Sequence, residues 1–142
     1  MTLLGEMMRP TWCEIDLGAL GRNFDVIKKR VSNSMVMPVI KADAYGHGIQ
    51  KIGMHLERLG ADRLAVAYVE EGVVLREAGV TIPIHVMGGA IKRQIPLFLD
   101  YDLIFTAPSI DKLEQINAAA KARGQKAVVH LKIDTGMERI GV

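Results

Sequence analysis

Short apolar runs alternate with helical stripes along most of this 142-residue chain, and this alternation limits the folds that it can adopt. Apolar residues at spacings of three and four predict helices that begin near Asp16, Gly48, Glu70 and Ser109. The runs between and around them predict strands at 12–15, 35–40, 64–67, 82–87, 103–106 and 127–133. Strands that alternate with helices form a parallel sheet covered by helices, so the expected fold class is α/β.

Capping and breaking signals refine these elements. Asp16 and Ser109 are typical N-cap residues, and the basic residues 28–30 fall in a last helical turn, where they complement the helix dipole. The run 35–40 is apolar throughout, which predicts a strand buried on both faces. Pro96 argues against a long regular helix in the segment 91–99.

Two architectures remain for such a parallel sheet, a barrel and a doubly wound open sheet. No glycine-rich dinucleotide fingerprint follows any predicted strand, which favours the barrel. A complete (β/α)8 barrel of the TIM type needs about 250 residues. The sequence ends just past its last predicted strand, so we expect residues 1–142 to form only the first part of a barrel.

Composition excludes several classes of function. The net charge is +2 with no basic block beyond residues 28–30, which argues against nucleic-acid binding. The single cysteine, Cys13, allows neither an intramolecular disulfide nor a cysteine-based metal cluster. Residues 1–10 contain Glu6 and no long apolar run, unlike a signal peptide, and the run 35–40 is too short to span a membrane. A cytoplasmic protein without a metal is expected.

Lys41 is the first candidate for chemistry, because it ends the apolar run 35–40. Active sites of parallel α/β folds lie at the carboxyl ends of the strands. A lysine there, with its stem among apolar neighbours, can act as a nucleophile and form a Schiff base. The alternative is a lysine that only extends into solvent from the strand end.

The loop after Lys41 adds polar groups. The Tyr45 hydroxyl could bind a phosphate, or the ring could simply pack in a turn. For His47 the sequence favours a structural role as a cap before the helix that begins near Gly48. Gly46 and Gly48 form too weak a signal for a phosphate-binding loop and are expected to serve the backbone of a tight turn.

A second group of polar residues follows the last predicted strand. The planar guanidinium of Arg139 could bind a carboxylate or a phenolate oxygen, or lie free in solvent. Asp134 and Thr135 could hold the loop. Lys132 shares a strand face with His130, which points either into a barrel or towards the helices.

Two segments resemble the signatures of the alanine racemase family. VIKADAYGHG at 39–48 resembles the family's cofactor signature, and HLKIDTGMERIGV at 130–142 resembles its second motif. The resemblance extends over nearly the whole chain, through WCEIDLGALGRNF at 12–24 and EEGVVLREAGVTIPI at 70–84.

The resemblance implies an isomerase with pyridoxal 5'-phosphate as its cofactor, an enzyme of fold type III that is active as a homodimer. Such enzymes have an N-terminal (β/α)8 barrel, of which residues 1–142 would be the first portion, and a C-terminal β-domain. The implied reaction interconverts L-alanine and D-alanine, and D-alanine supplies the synthesis of cell-wall peptidoglycan.

The resemblance also implies roles for individual residues. Lys41 would be the Schiff-base lysine and one of two catalytic bases. Tyr45 would contact the cofactor phosphate. Arg139 would hydrogen-bond the cofactor's phenolic oxygen and lie near the substrate carboxylate. Lys132 would correspond to a lysine that is carbamylated in some members of the family.

Two features depart from the family pattern. Glu138 stands where the family often has a small residue. The family's second base, a tyrosine of the partner subunit, comes from sequence beyond residue 142, so the isolated chain is expected to be inactive. The alternative function is that of a non-catalytic barrel protein that binds pyridoxal phosphate.

Overall fold

The structure, a computed structural model, describes residues 12–142; the prediction about a signal peptide in residues 1–10 lies outside them. The helical elements are α1 (Leu17–Val31), α2 (Lys41–Gly46), α3 (Ile49–Arg58), α4 (Val69–Glu77), α5 (Ile95–Asp100) and α6 (Ile110–Ala122). The strands are β1 (Leu64–Val66), β2 (Ile84–Val86), β3 (Leu103–Ala107) and β4 (Val129–Leu131). Across residues 12–142, no helix combines the length and the apolar character that a membrane crossing requires.

The strands form one parallel sheet in the order β1-β2-β3-β4. The segment 36–40 runs beside β1 in the same direction, with Val39 opposite Ala65. The Ile40 N–H donates to the Ala65 carbonyl at 2.8 Å, and the Ala65 N–H donates to the Pro38 carbonyl at 2.9 Å. The sheet and its covering helices confirm the predicted α/β class.

The core lies between the sheet and the helices. Alternate strand residues such as Leu64, Ile84 and Val86 are fully buried there. The Phe105 ring of β3 stacks on the Phe98 ring of α5 with a centroid distance of 4.2 Å. This packing identifies which face of the sheet the helices cover.

Local signals placed the helix starts correctly. The Asp16 carboxylate accepts the Ala19 N–H at 2.9 Å, and the Ser109 hydroxyl accepts the Lys112 N–H at 3.1 Å. Pro96 is the second residue of α5, a short helix that follows a 3₁₀ turn at Lys92–Gln94. A proline is tolerated in the first turn of a helix, where no intrahelical partner is lost.

Two strand predictions are wrong. Residues 12–15 form no strand, and Trp12 is exposed, because no other strand of the described chain lies beside this segment. The segment 35–40 pairs only at Val39 and is buried on one face alone: Ile40 is 4% exposed but Met35 is 64% exposed. Val39 pairs with Ala65, and the exposed residues 35, 37 and 39 lie on the face of the sheet away from the helices, where no layer of the described chain covers them.

Candidate active site

The carboxyl ends of the parallel strands bring both predicted motifs to one edge of the sheet. Lys41 directly follows the segment 36–40, and Lys132 directly follows β4. Beyond Lys132 the chain loops out and returns, since the Val142 N–H donates to the Lys132 carbonyl at 3.0 Å. Arg139 lies in this loop, so Lys41 and Arg139 occupy the same edge of the sheet, where barrel enzymes have their active sites.

The backbone after Lys41 forms a left-handed turn, which is rare for L-amino acids. All four residues 42–45 have φ between 52° and 56°. Gly46 and Gly48 follow with φ of 84° and 87°, which confirms the prediction that these glycines allow the backbone conformation of a tight turn. The left-handed conformation costs roughly 1–2 kcal/mol per L-residue, so the turn persists only because other contacts hold it.

Two side chains from the same segment hold this turn. Asp43 accepts the N–H of Ile49, the first residue of α3, at 2.7 Å. His47 donates through Nδ1 to the carbonyls of Ala44 at 2.9 Å and Tyr45 at 3.1 Å. The prediction that His47 caps the following helix is therefore wrong: His47 caps the carbonyls of the turn, and Asp43 caps α3. Sequence reasoning missed Asp43, because it lies six positions before Ile49, outside the spacing of an ordinary N-cap.

A third side chain reaches the turn from another element. Glu71, in the first turn of α4, accepts the Ala42 N–H at 2.5 Å through one carboxylate oxygen. Its other oxygen accepts the Ala67 N–H at 2.8 Å and the Tyr68 N–H at 3.1 Å. In the sequence Glu71 stands out only as an acidic residue at the start of a helix. Its bond to Ala42 spans 29 positions, so no local pattern predicts it.

The candidate side chains share an edge without touching one another. Lys41 is half-buried, whereas Tyr45 is exposed and lines an apolar groove of about 830 Å³ between α1 and the segment 36–40. Within residues 12–142, no hydrogen bond or ion pair joins Lys41, Tyr45, Lys132 or Arg139 to another of these four. The four side chains therefore lie at one edge of the sheet without a direct polar contact.

The face on which Lys132 lies follows from its neighbours. Helices cover the face of β3 that carries Phe105, so Thr106 points to the opposite face. His85 bonds to Thr106 and its ring lies 4.3 Å from that of His130, which places His130 on this opposite face too. Alternation puts Lys132 there as well, on the side that becomes the interior when such a sheet closes into a barrel.

His85 is a buried polar residue on that face which the sequence did not single out. The Thr106 hydroxyl donates to the Val86 carbonyl at 2.8 Å and therefore accepts from His85 Nε2, also at 2.8 Å. The other nitrogen of His85, Nδ1, has no partner among the described residues. Burial, with the charges of His130 and Arg63, lowers the pKa of His85 to about 4, so the ring is neutral at pH 7.

The Arg139 loop is held more simply. Asp134 accepts the N–H groups of Gly136 at 2.8 Å and Glu138 at 3.1 Å, and these bonds hold the pKa of its carboxyl below the usual range. The predicted role of Asp134 in holding the loop is confirmed; the Thr135 side chain makes no hydrogen bond within the described residues. Glu138 has φ of 54°, in the left-handed region, which glycine adopts without the steric cost that a Cβ atom brings.

Comparisons with known proteins identify the fold. A family model described as "Alanine racemase, N-terminal domain" matches residues 15–142. The chain is 47% identical over 138 residues to an alanine racemase of Halothermothrix orenii, covering 96% of this chain and 36% of that protein. The alanine racemase structure from Clostridium difficile 630 matches with a TM-score of 0.90 at 40% identity, over 96% of this chain and 36% of that chain.

Racemases named for other substrates share this part of the fold. A histidine racemase from Leuconostoc mesenteroides matches with a TM-score of 0.81 at 28% identity, covering 88% of this chain and 34% of that chain. The present chain thus spans little more than a third of the length of the relatives that it matches. Its parallel sheet and helices correspond to the N-terminal portion of the barrel of these enzymes. The chain belongs to the alanine racemase family through its N-terminal domain.

Proposed function

We propose that this chain supplies the cofactor-binding part of a racemase that interconverts L-alanine and D-alanine with pyridoxal 5'-phosphate. One observation carries the proposal: Lys41 stands at the start of a strained left-handed turn at the carboxyl edge of the sheet. Tyr45 belongs to the same turn, and Arg139 lies at the same edge. Backbone strain clusters at functional sites, where it fixes reactive groups in place.

The side chains at this edge fit the chemical groups of pyridoxal phosphate. The Lys41 amine suits the aldehyde, with which a primary amine condenses. The Tyr45 hydroxyl can donate to the phosphate, and the guanidinium of Arg139 can donate to the phenolic oxygen or to a substrate carboxylate. When bound, the cofactor supplies an electron sink for the pair left at the substrate α-carbon.

Each residue has a distinct task in the proposed reaction. The Lys41 amine holds the cofactor before substrate arrives and, once free, removes or returns the α-proton on the D-alanine face. Arg139 orients the substrate carboxylate. Lys132, on the interior face, would position Arg139 in a carbamylated form, because carbamylation converts the cationic side chain into an anion.

Racemisation needs proton transfer on both faces of the α-carbon. In this proposal the second base is a tyrosine of the partner subunit in a homodimer, contributed by sequence beyond residue 142. That sequence would also supply the rest of the barrel and the C-terminal β-domain. The enzyme would act in the cytoplasm and provide D-alanine for cell-wall peptidoglycan.

Borohydride trapping of pyridoxal phosphate, followed by peptide mapping, tests the role of Lys41. We expect the reduced cofactor on Lys41 in the wild-type chain and none at that position in Lys41→Ala. Lys51→Ala is the matched control, because Lys51 is an exposed lysine in nearby α3, and it should trap as the wild type does. Undiminished total trapping in Lys41→Ala would show that another lysine carries the cofactor.

Activity itself needs a separate test. The 142-residue chain should not racemise alanine above the rate of free pyridoxal phosphate, because one positioned acid–base group, worth typically about 10²–10⁴-fold, is missing. A version extended to the length of the relatives should racemise alanine. An extended version that binds the cofactor but racemises no amino acid would favour the non-catalytic alternative.

A further inference from the structure

The left-handed turn α2 depends on contacts that come from outside its own segment. Residues 42–45 all occupy a conformation that L-amino acids rarely adopt. Asp43 and His47 are themselves within or next to the turn, so they move with it if it rearranges. Glu71 is different, because its backbone belongs to α4, packed on the sheet.

The Glu71 carboxylate connects the left-handed turn with the residues just after β1. One oxygen accepts the Ala42 N–H at 2.5 Å, and the other accepts the N–H groups of Ala67 and Tyr68 just beyond β1. The Tyr68 bond is the backward half of a capping box, so the carboxylate is fixed by the start of α4. Hydrogen bonds of N–H groups to an ionised carboxylate are stronger than neutral ones.

We propose that Glu71 is a positioning residue for Lys41: its carboxylate fixes the left-handed turn against the end of β1 and so sets the direction of the Lys41 side chain. Ala42 is the residue directly after Lys41, so the bond to its N–H acts on the peptide plane next to the Lys41 Cα. The inference rests on the proposed function of Lys41 as the cofactor-binding amine.

The chain offers a matched control in the preceding residue. Glu70 lies in the same first turn of α4 and carries the same charge, so its removal has the same effect on the helix dipole. The Glu70 side chain is bonded only to the Gln94 amide, at 3.1 Å, among the described residues, and it does not reach the turn. Glu71→Gln and Glu70→Gln therefore differ in the contact with Ala42.

Hydrogen–deuterium exchange tests the first half of the proposal without the cofactor. Glutamine has one acceptor oxygen and one NH₂ group, and the two N–H groups of Ala67 and Tyr68 together with the capping box hold that oxygen at the end of β1, so in Glu71→Gln the Ala42 N–H loses its acceptor. Amides 42–48 should exchange about tenfold faster than in the wild type, while amides of α6 stay unchanged. In Glu70→Gln the exchange of 42–48 should match the wild type. Equal exchange in both variants would overturn the proposal.

Trapping of pyridoxal phosphate tests the second half. The fraction of reduced cofactor found on Lys41, relative to the other lysines, should fall about tenfold in Glu71→Gln and stay constant in Glu70→Gln. Faster exchange with unchanged trapping at Lys41 would show that Glu71 holds the turn without positioning the amine. No trapping at Lys41 in the wild type would refute the proposed function, while the exchange result would still decide what Glu71 does to the turn.

A rescue variant separates this role from general destabilisation of α4. Glycine adopts the left-handed conformation without steric cost, so Ala42→Gly in the Glu71→Gln background should restore much of the protection of 43–48 and of the trapping at Lys41. If Glu71 acted only through the start of α4, the glycine would restore neither quantity, and that result would overturn the proposal. Should Glu71→Gln fail to fold, the same comparison is made with Glu71→Asp, whose shorter side chain cannot span both loops.

Discussion

The two segments that carry the candidate site differ in how they are held. The turn after Lys41 is braced by three side chains, of which Glu71 comes from a different element. The loop that carries Arg139 is held by one carboxylate of its own, that of Asp134. The difference teaches that this domain by itself fixes the turn beside the proposed covalent anchor, Lys41, whereas the Arg139 side chain stays exposed.

Replacing Lys41 and Arg139 by glutamine should give the largest difference between the two segments, seen in the yield of trapped cofactor. Lys41→Gln should lose all borohydride-trapped cofactor at that position, because an amide cannot form a Schiff base. Arg139→Gln should keep the trapping but need about tenfold more pyridoxal phosphate for the same yield, since one charge-assisted hydrogen bond is lost. The measurement is trapped yield against cofactor concentration. Complete loss in Arg139→Gln would mean that the loop, too, is essential for covalent binding.

Replacing Asp43 and Asp134, the aspartates that hold the turn and the loop, should give a smaller difference, seen in the free energy of unfolding. Asp43→Ala should lower the free energy of unfolding by about 1 kcal/mol, because the Ile49 N–H at the start of α3 loses its acceptor. Asp134→Ala should lower it by clearly less, since its loop lies at the surface. Urea unfolding measures both changes. Asp43→Asn, which keeps an acceptor oxygen, is the control and should restore most of the loss; equal effects at both positions would contradict the comparison.

Relieving backbone strain in the Arg139 loop should give a still smaller effect, of opposite sign. Glu138→Gly removes a left-handed L-residue, which relieves roughly 1–2 kcal/mol. The greater entropy that glycine loses on folding offsets roughly 0.5–1 kcal/mol of this. The net gain in the free energy of unfolding should be about 0.5 kcal/mol by urea unfolding. Glu138→Ala keeps the strain and should show no gain; a gain as large as that of glycine would refute strain as the cause.

The smallest expected effect is that of acid on the Arg139 loop, where protonation of Asp134 weakens its bonds to the loop N–H groups. The N–H groups of Gly136 and Glu138 hold the pKa of Asp134 below its usual value, so the carboxylate stabilises the loop above that value and releases it as pH falls through the lowered pKa. The amide chemical shift of Gly136 should therefore titrate with a midpoint below the ordinary pKa of an aspartate. Asp134→Asn should abolish this titration. A midpoint at or above the usual value would show that the bonds do not favour the charged form.

Local signals account for much of the fold that the sequence predicted. The predicted helix starts and strand runs lie within a few residues of the observed elements. This holds for the N-caps Asp16 and Ser109, for the apolar stripes of α1, α3 and α6, and for the runs that form β1 to β4. The sequence also predicted that Lys41 and Arg139 lie at the same edge of the sheet, because each follows a recognisable apolar run. A parallel sheet then necessarily brings strand ends to one edge.

Other features depended on partners far away in the sequence. The burial of the segment 35–40 depended on whether another layer packs on each face of the sheet, which its composition cannot reveal. Lys132 could have faced the helices or the interior, and only the contact between His85 and His130 decided between them.

The handedness of the turn after Lys41 is the clearest case of a tertiary decision. The sequence by itself determined that an apolar segment ends at Lys41 and that glycines at 46 and 48 allow a tight turn. Of residues 42–45 only Asp43 is of a type that adopts the left-handed conformation with some frequency, and this conformation costs free energy at the two alanines and at Tyr45. Asp43 and His47 supply local bonds, but the bond from Glu71 exists only in the folded chain, because Glu71 comes within reach of Ala42 when α4 packs beside β1.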